Sequence, residues 1–201
     1  GVQGGGQVGK YLIEYLIKEG AEVMITDIFH EKLMEVAKAT GAQAVDPNVI
    51  YDLQMDIYSP CALGATINDE TIDRLKCGVI AGGANNQLKD EEKHGKLLMQ
   101  KGIVYAPDFL INAGGVINVG MEYLGGYNRE LVFQQTEKIY DTCVKILKKS
   151  EAENIPAQQA AIETAKARIE SMGRVNLPFC SSNQNQNHRE SNSGGFFVSA
   201  I

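Results

Sequence analysis

Apolar positions along this chain follow two rhythms, short solid runs and helical repeats, and the two alternate. Val8, Leu12, Tyr15 and Leu16 recur at helical spacing, and Gly20 follows as a stop. Residues 22–27 form a run that reads as a buried strand ending at Asp27. His30 to Thr40 predicts a second helix with Leu33, Val36 and Ala37 inward, closed by Gly41. Residues 43–45 predict a short strand, residues 55–58 another stopped by Pro60, and residues 78–81 a third ending in Gly82 and Gly83. A charged helix over 90–100 leads to a strand at 103–105, stopped by Pro107. From Asn128 to about Asn154 the stripe Val132, Thr136, Ile139, Cys143 and Ile146 predicts one long helix with a single buried side. Pro156 opens a last alanine-rich helix to about Met172.

Short apolar strands separated by helices predict an α/β fold: a doubly wound parallel (Rossmann) sheet with helices on both faces and a C-terminal helical extension. In such a sheet ligands collect at the carboxyl ends of the strands. The polar clusters of this chain each follow a strand.

Composition narrows the class. The chain has 201 residues, 44% hydrophobic and 22% charged, which predicts one globular domain. A net charge of −6 offers no basic footprint for nucleic acid. No apolar run approaches the ~18 residues that cross a bilayer, and no signal peptide is visible. Cys61, Cys77, Cys143 and Cys180 form no C-x-x-C pair and have no histidine at ligand spacing, so no metal is expected. They read as buried, reduced thiols of a cytoplasmic protein. His94 lies among charges and reads as part of a solvated face; neither it nor His30 or His188 has the partner pattern of a general base.

The tail differs from the rest. Residues 181–195 are nearly all Ser, Asn, Gln, His, Arg, Glu and Gly, too polar to offset ordering entropy. The domain is therefore set at 1–174, and 175–201 is expected to be either disordered or foreign to it.

Gly4-Gly-Gly-Gln-Val-Gly9 spells G-x-G-x-x-G before a helical pattern. Gly4 permits a tight turn, Gly6 a close approach of backbone to a diphosphate, and Gly9 close helix–strand packing. The amides of Gln7 and Val8 open the helix, where its dipole favours an anion. Asp27, eighteen positions after Gly9, is placed to accept hydrogen bonds from the adenosine ribose, with Ile28 beside it. Unit charges about 4 Å apart at an effective dielectric of about 20 repel by roughly 4 kcal/mol before screening. A quarter of that already favours NAD over NADP. The other reading of Asp27 is the N-cap of the next helix.

Three further segments carry a resemblance: Ser59-Pro-Cys-Ala-Leu-Gly-Ala65, Ala81-Gly-Gly-Ala-Asn-Asn-Gln-Leu88, and Tyr105-Ala-Pro-Asp-Phe-Leu-Ile-Asn-Ala-Gly-Gly-Val-Ile-Asn118. With Gly126-Tyr-Asn-Arg-Glu130 they resemble the cofactor domain of the amino acid dehydrogenases acting on leucine, valine, phenylalanine and glutamate, the leucine-acting members above all. The resemblance runs from Gly1 to about Arg174. It implies NAD as cofactor, Ala62 and Leu63 on the adenosine side, Ala84 and Asn85 near the nicotinamide ribose, and Asn112 near nicotinamide and substrate. It also implies Val116 and Val119 in an apolar substrate pocket. From the residues alone, Asn85-Asn86 also reads as a turn, Asn112 as a helix cap, Val116 and Val119 as core, and Asp108 as either a cleft residue or a turn residue.

The family's reaction is the reversible oxidative deamination of an amino acid to its 2-oxo acid and ammonia. Its acid–base lysine and aspartate belong to a preceding domain, so no catalytic residue is assigned within this chain. That domain and most of the first strand, here Gly1-Val2-Gln3, are read as missing, which predicts marginal stability and little turnover by the chain alone. The small-molecule substrate is expected to be leucine or another apolar amino acid, with phenylalanine, valine and glutamate as alternatives. The full-length protein is expected to be a homo-oligomer, with no nucleic-acid or membrane partner. A non-catalytic NAD-sensing module is the competing class.

Overall fold

The computed structural model describes residues 1–123 and 125–173. The expectations for Cys180, His188 and the tail lie outside the described residues.

Among the described residues six short strands form one parallel sheet: β1 (Val2–Gln3), β2 (Met24–Thr26), β3 (Gln43–Ala44), β4 (Ile57–Pro60), β5 (Val79–Ile80) and β6 (Val104–Tyr105). Their spatial order is β3-β2-β1-β4-β5-β6. The order reverses between β1 and β4, and that crevice is where a doubly wound sheet binds its ligand. Although β1 has two residues, it pairs on both sides, Val2 opposite Ile25 and Ser59.

Among the described residues seven α-helices connect and cover the strands: α1 (Gln7–Lys18), α2 (His30–Thr40), α3 (Glu91–Gln100), α4 (Asp108–Ile111), α5 (Gly114–Tyr123), α6 (Arg129–Glu153) and α7 (Ala157–Gly173). One core cluster gathers Val2, Ile13, Ile25, Leu33 and Val36 between β1, β2, α1 and α2. A second gathers Tyr58, Ile67, Ile72, Ile80, Leu98 and Tyr105 under α3. A third, Leu110, Ile146, Ala160 and Ala161, joins α4, α6 and α7.

Several elements end where local chemistry dictates. Gly41 closes α2 in the left-handed region at φ 83°. The Asp90 carboxylate accepts the Lys93 N–H at the start of α3. Asn128 does the same for Leu131 at the start of α6, and Asn154 ends that helix at φ 53°. The α6 stripe runs buried at Val132 and Ile146 and half-buried between them.

Four expectations need correction. The inward side of α1 is Gly9, Leu12, Ile13, Leu16 and Ile17, whereas Val8 and Tyr15 are exposed, because the glycine at 9 is the surface pressed on the sheet. The fourth strand begins two residues later than expected and includes Pro60. Gly82 packs against Pro60 where a further ladder bond would go, so the missing N–H is not needed there. His94 is buried, not solvated: its Nδ1 accepts the Asp90 N–H at 3.0 Å and its Nε2 lies 3.1 Å from Asp69 Oδ1. Asp69 is held below the usual carboxylate range by its bonds to Lys93 and His94. The three described cysteines are half-buried free thiols rather than fully buried ones, and burial pushes each above its usual pKa.

Candidate cofactor cleft

Within the glycine turn, Gly4 and Gly9 sit where a side chain would not fit. Gly4 has φ 107°, and its N–H donates to the Thr26 carbonyl at 2.7 Å. A methyl group at Gly9 would overlap the Gly4 carbonyl oxygen, so the first turn of α1 lies directly on the loop. Gly6 is different: the only atom near its missing Cβ is Lys32 Nζ, 4.0 Å away. It is the N-cap of α1 and offers no side-chain cap. The first-turn N–H groups, those of Gln7 and Val8 among them, have no acceptor within the helix. An open, uncapped helix end beside a lysine suits a diphosphate.

Asp27 stands half-buried at the end of β2. Its Oδ2 accepts the Gly5 N–H at 2.7 Å and its Oδ1 the Phe29 N–H at 2.9 Å. The N-cap of α2 is Phe29, so Asp27 does not cap that helix. It ties the glycine turn to β2 instead, with lone pairs left over for hydroxyl donors. Ile28 next to it is exposed.

The loop after β4 continues this ledge. A side chain on Gly4 would meet Ala62 at 2.9 Å, and one on Gly64 would meet the carbonyls of Asn85 and Asn86 at 2.6 Å. Leu63 points outward and is exposed. The loop after β5 closes on the helix start, since a side chain on Gly83 would meet Val8 Cγ1 at 2.6 Å. Ala84 is buried and donates its N–H to the Pro60 carbonyl at 2.9 Å. Asn86 takes φ 52°, the turn conformation that asparagine tolerates.

At the far end, Asn112 Nδ2 donates to Asn85 Oδ1 at 2.5 Å. Asn112 is the C-cap of α4, as one of its two readings had it: its backbone N–H closes the helix, and its side chain turns to Asn85. Asn85, Asn112, Ala62 and the glycine turn are thus linked by contacts along the carboxyl ends of β1, β4 and β5. A cavity of about 560 Å³ between α3, β6, α6 and α7 contains none of these residues.

Residues 25–175 match the family model described as glutamate/leucine/phenylalanine/valine dehydrogenase. The chain belongs to that dehydrogenase family. It is 51% identical over 184 residues to a leucine dehydrogenase of Thermoactinomyces intermedius, covering 92% of this chain and 50% of that protein. To a leucine dehydrogenase of Bacillus cereus it is 52% identical, covering 85% and 46%. The crystal structure of L-tryptophan dehydrogenase from Nostoc punctiforme superposes with a TM-score of 0.82 at 42% identity, over 85% of this chain and 51% of that one. The chain spans about half the length of the curated relatives it matches.

For a dehydrogenase of this family, Val116 and Val119 are the expected substrate-pocket residues. They stand three apart on one side of α5, 49% and 61% exposed, so they are not core. Both lie on the helix that follows Asn112. Reading the sequence alone missed Lys32, whose approach to Gly6 depends on how α2 packs. Asp108 had two open readings; it is buried at the first position of α4. Among the described residues no group of three or more His, Cys, Asp or Glu side chains stands in metal-holding geometry, and no helix is long and apolar enough to cross a membrane.

Proposed function

We propose that this chain is the NAD-binding half of an amino acid dehydrogenase that oxidatively deaminates leucine or another apolar L-amino acid. The observation that carries the reading is the continuous ledge, with the uncapped start of α1 and Asp27 at one extreme and the Asn85–Asn112 pair at the other. The relatives named leucine dehydrogenase support the leucine preference.

On this reading the amides of Gln7 and Val8 hold the diphosphate, and Lys32 adds a cation beside Gly6. Asp27 accepts the adenosine ribose hydroxyls and repels a 2′-phosphate. Ala62 and Leu63 flank the adenosine, while Ala84 and Asn85 meet the second ribose. Asn112, with donor and acceptor on one amide, orients the nicotinamide end and the substrate. Bound NAD supplies the hydride acceptor. Val116 and Val119 present apolar surface to the substrate side chain. The acid–base lysine and aspartate that the resemblance implies lie outside this chain, so the chain alone turns over slowly at best.

The test is spectrophotometric. The full-length protein is expected to form NADH with leucine, and to be active with fewer than all of valine, phenylalanine, tryptophan and glutamate. Absence of NADH with every one of these amino acids overturns the reading. Calorimetry should show NAD binding more tightly than NADP, with Asp27→Ala narrowing the gap.

A further inference from the structure

The Asn85–Asn112 pair joins two segments 27 positions apart, the loop after β5 and the α4–α5 junction. A buried acid lies behind it. Asp108 is 6% exposed; its Oδ2 accepts the Gln87 N–H at 2.9 Å, and its Oδ1 accepts the Phe109 N–H at 2.6 Å. Gln87 is fully buried, and its side-chain NH2 donates to the carbonyls of Gly82 at 2.6 Å and Ala84 at 3.0 Å. One side chain therefore braces the Asn85 loop from inside, and one carboxylate ties that loop to the segment leading to Asn112.

A buried carboxylate is costly unless it is well bonded. A first-turn acid on a helix accounts for the Phe109 bond. It does not account for the reach to Gln87, 21 positions earlier. Charge-assisted bonds of this kind are stronger and geometrically stricter than neutral ones. A brace of that strictness suits a pair of amides whose relative placement matters.

We propose that Asp108 and Gln87 are positioning residues that hold Asn85 and Asn112 in one arrangement and so govern the nicotinamide end of the cleft, leaving the adenosine end unaffected. The proposal rests on the reading of the ledge as an NAD site. Asp108 touches neither cofactor nor substrate on this account; it acts through Gln87 and the loop.

The experiment compares two ligands on the full-length protein by calorimetry: NAD, and ADP, which lacks the nicotinamide and the ribose that carries it. Asp108→Ala is expected to weaken NAD by about tenfold and ADP by less than about twofold. Asp108→Asn keeps one acceptor and should fall between. Gln87→Met keeps the volume, removes the two carbonyl bonds and should show the same split; it serves if Asp108→Ala does not fold. Equal weakening of both ligands, or no weakening of either, overturns the proposal while leaving the NAD reading intact. If neither ligand binds the unaltered protein, the NAD reading falls, and this proposal with it.

Discussion

At the scale of single residues, buried polar groups decide more than buried apolar ones. Tyr58 is fully buried, and its hydroxyl donates to Gln3 Oε1 at 2.5 Å, while Gln3 Nε2 donates to the Tyr51 hydroxyl at 2.7 Å. Burial pushes the pKa of Tyr58 far above the ordinary tyrosine value. Tyr105, buried with no hydrogen-bond partner for its hydroxyl, is shifted upward by burial and then by the Asp108 charge. Both rings stay protonated when folded. In the unfolded chain each releases its proton near pH 10. Their stabilising contribution is thus complete below about pH 10 and is lost as pH rises further. Tyr58→Phe is expected to lower stability by about 1–3 kcal/mol at pH 7, because Gln3 Oε1 loses its donor. It should also flatten the fall in stability above pH 10. Urea unfolding at pH 7 and pH 10.5 measures both, and an unchanged alkaline slope would contradict the assignment. None of this was legible in the sequence, where Gln3 and Tyr58 are 55 positions apart.

At the scale of elements, caps and left-handed residues made the helices readable. His30–Thr40 is closed by Gly41 as expected, and α6 lies between the asparagines that bracket its apolar stripe. Capping acts within four residues, so the sequence exposes it directly. Asn128→Ala should cost about 1 kcal/mol, since the Leu131 N–H loses its acceptor. Asn154→Gly should cost little or stabilise, because glycine takes φ 53° more easily. Thermal melts of the two variants check this, and equal losses would be inconsistent with the cap geometry. The strands were harder to bound. Each has two to four residues, and its ends are set by neighbouring strands rather than by its own residues. Helices α4 and α5 escaped notice because Gly114 and Gly115 look like a bend, yet both lie inside a helical turn held at its start by the Ile117 N–H to the Ala113 carbonyl.

At the scale of the whole molecule, the ledge is made of five separate stretches: the glycine turn, Asp27, the loop after β4, the loop after β5, and the α4–α5 junction. Strand order brings them together. A ligand that spans them couples to folding by mass action and adds about 2.7 kcal/mol at a concentration one hundred times its Kd. For a domain of this size that corresponds to a Tm rise of roughly 5–10 °C. Melting with NAD should show it, NADP should give less, and an NAD-independent Tm would count against the cleft as a binding site.

The sequence by itself determined the local conformations: where helices stop, where φ must turn positive, which residue types follow each strand, and through those motifs the family. These depend on forces that act over a few neighbouring residues. Only the tertiary structure decided which faces are covered and which loops touch. That is why His94 is buried, why Lys32 reaches Gly6, and why Asp108 answers Gln87. Such contacts join residues that are distant along the chain, and they exist only once the sheet has brought the strand ends side by side.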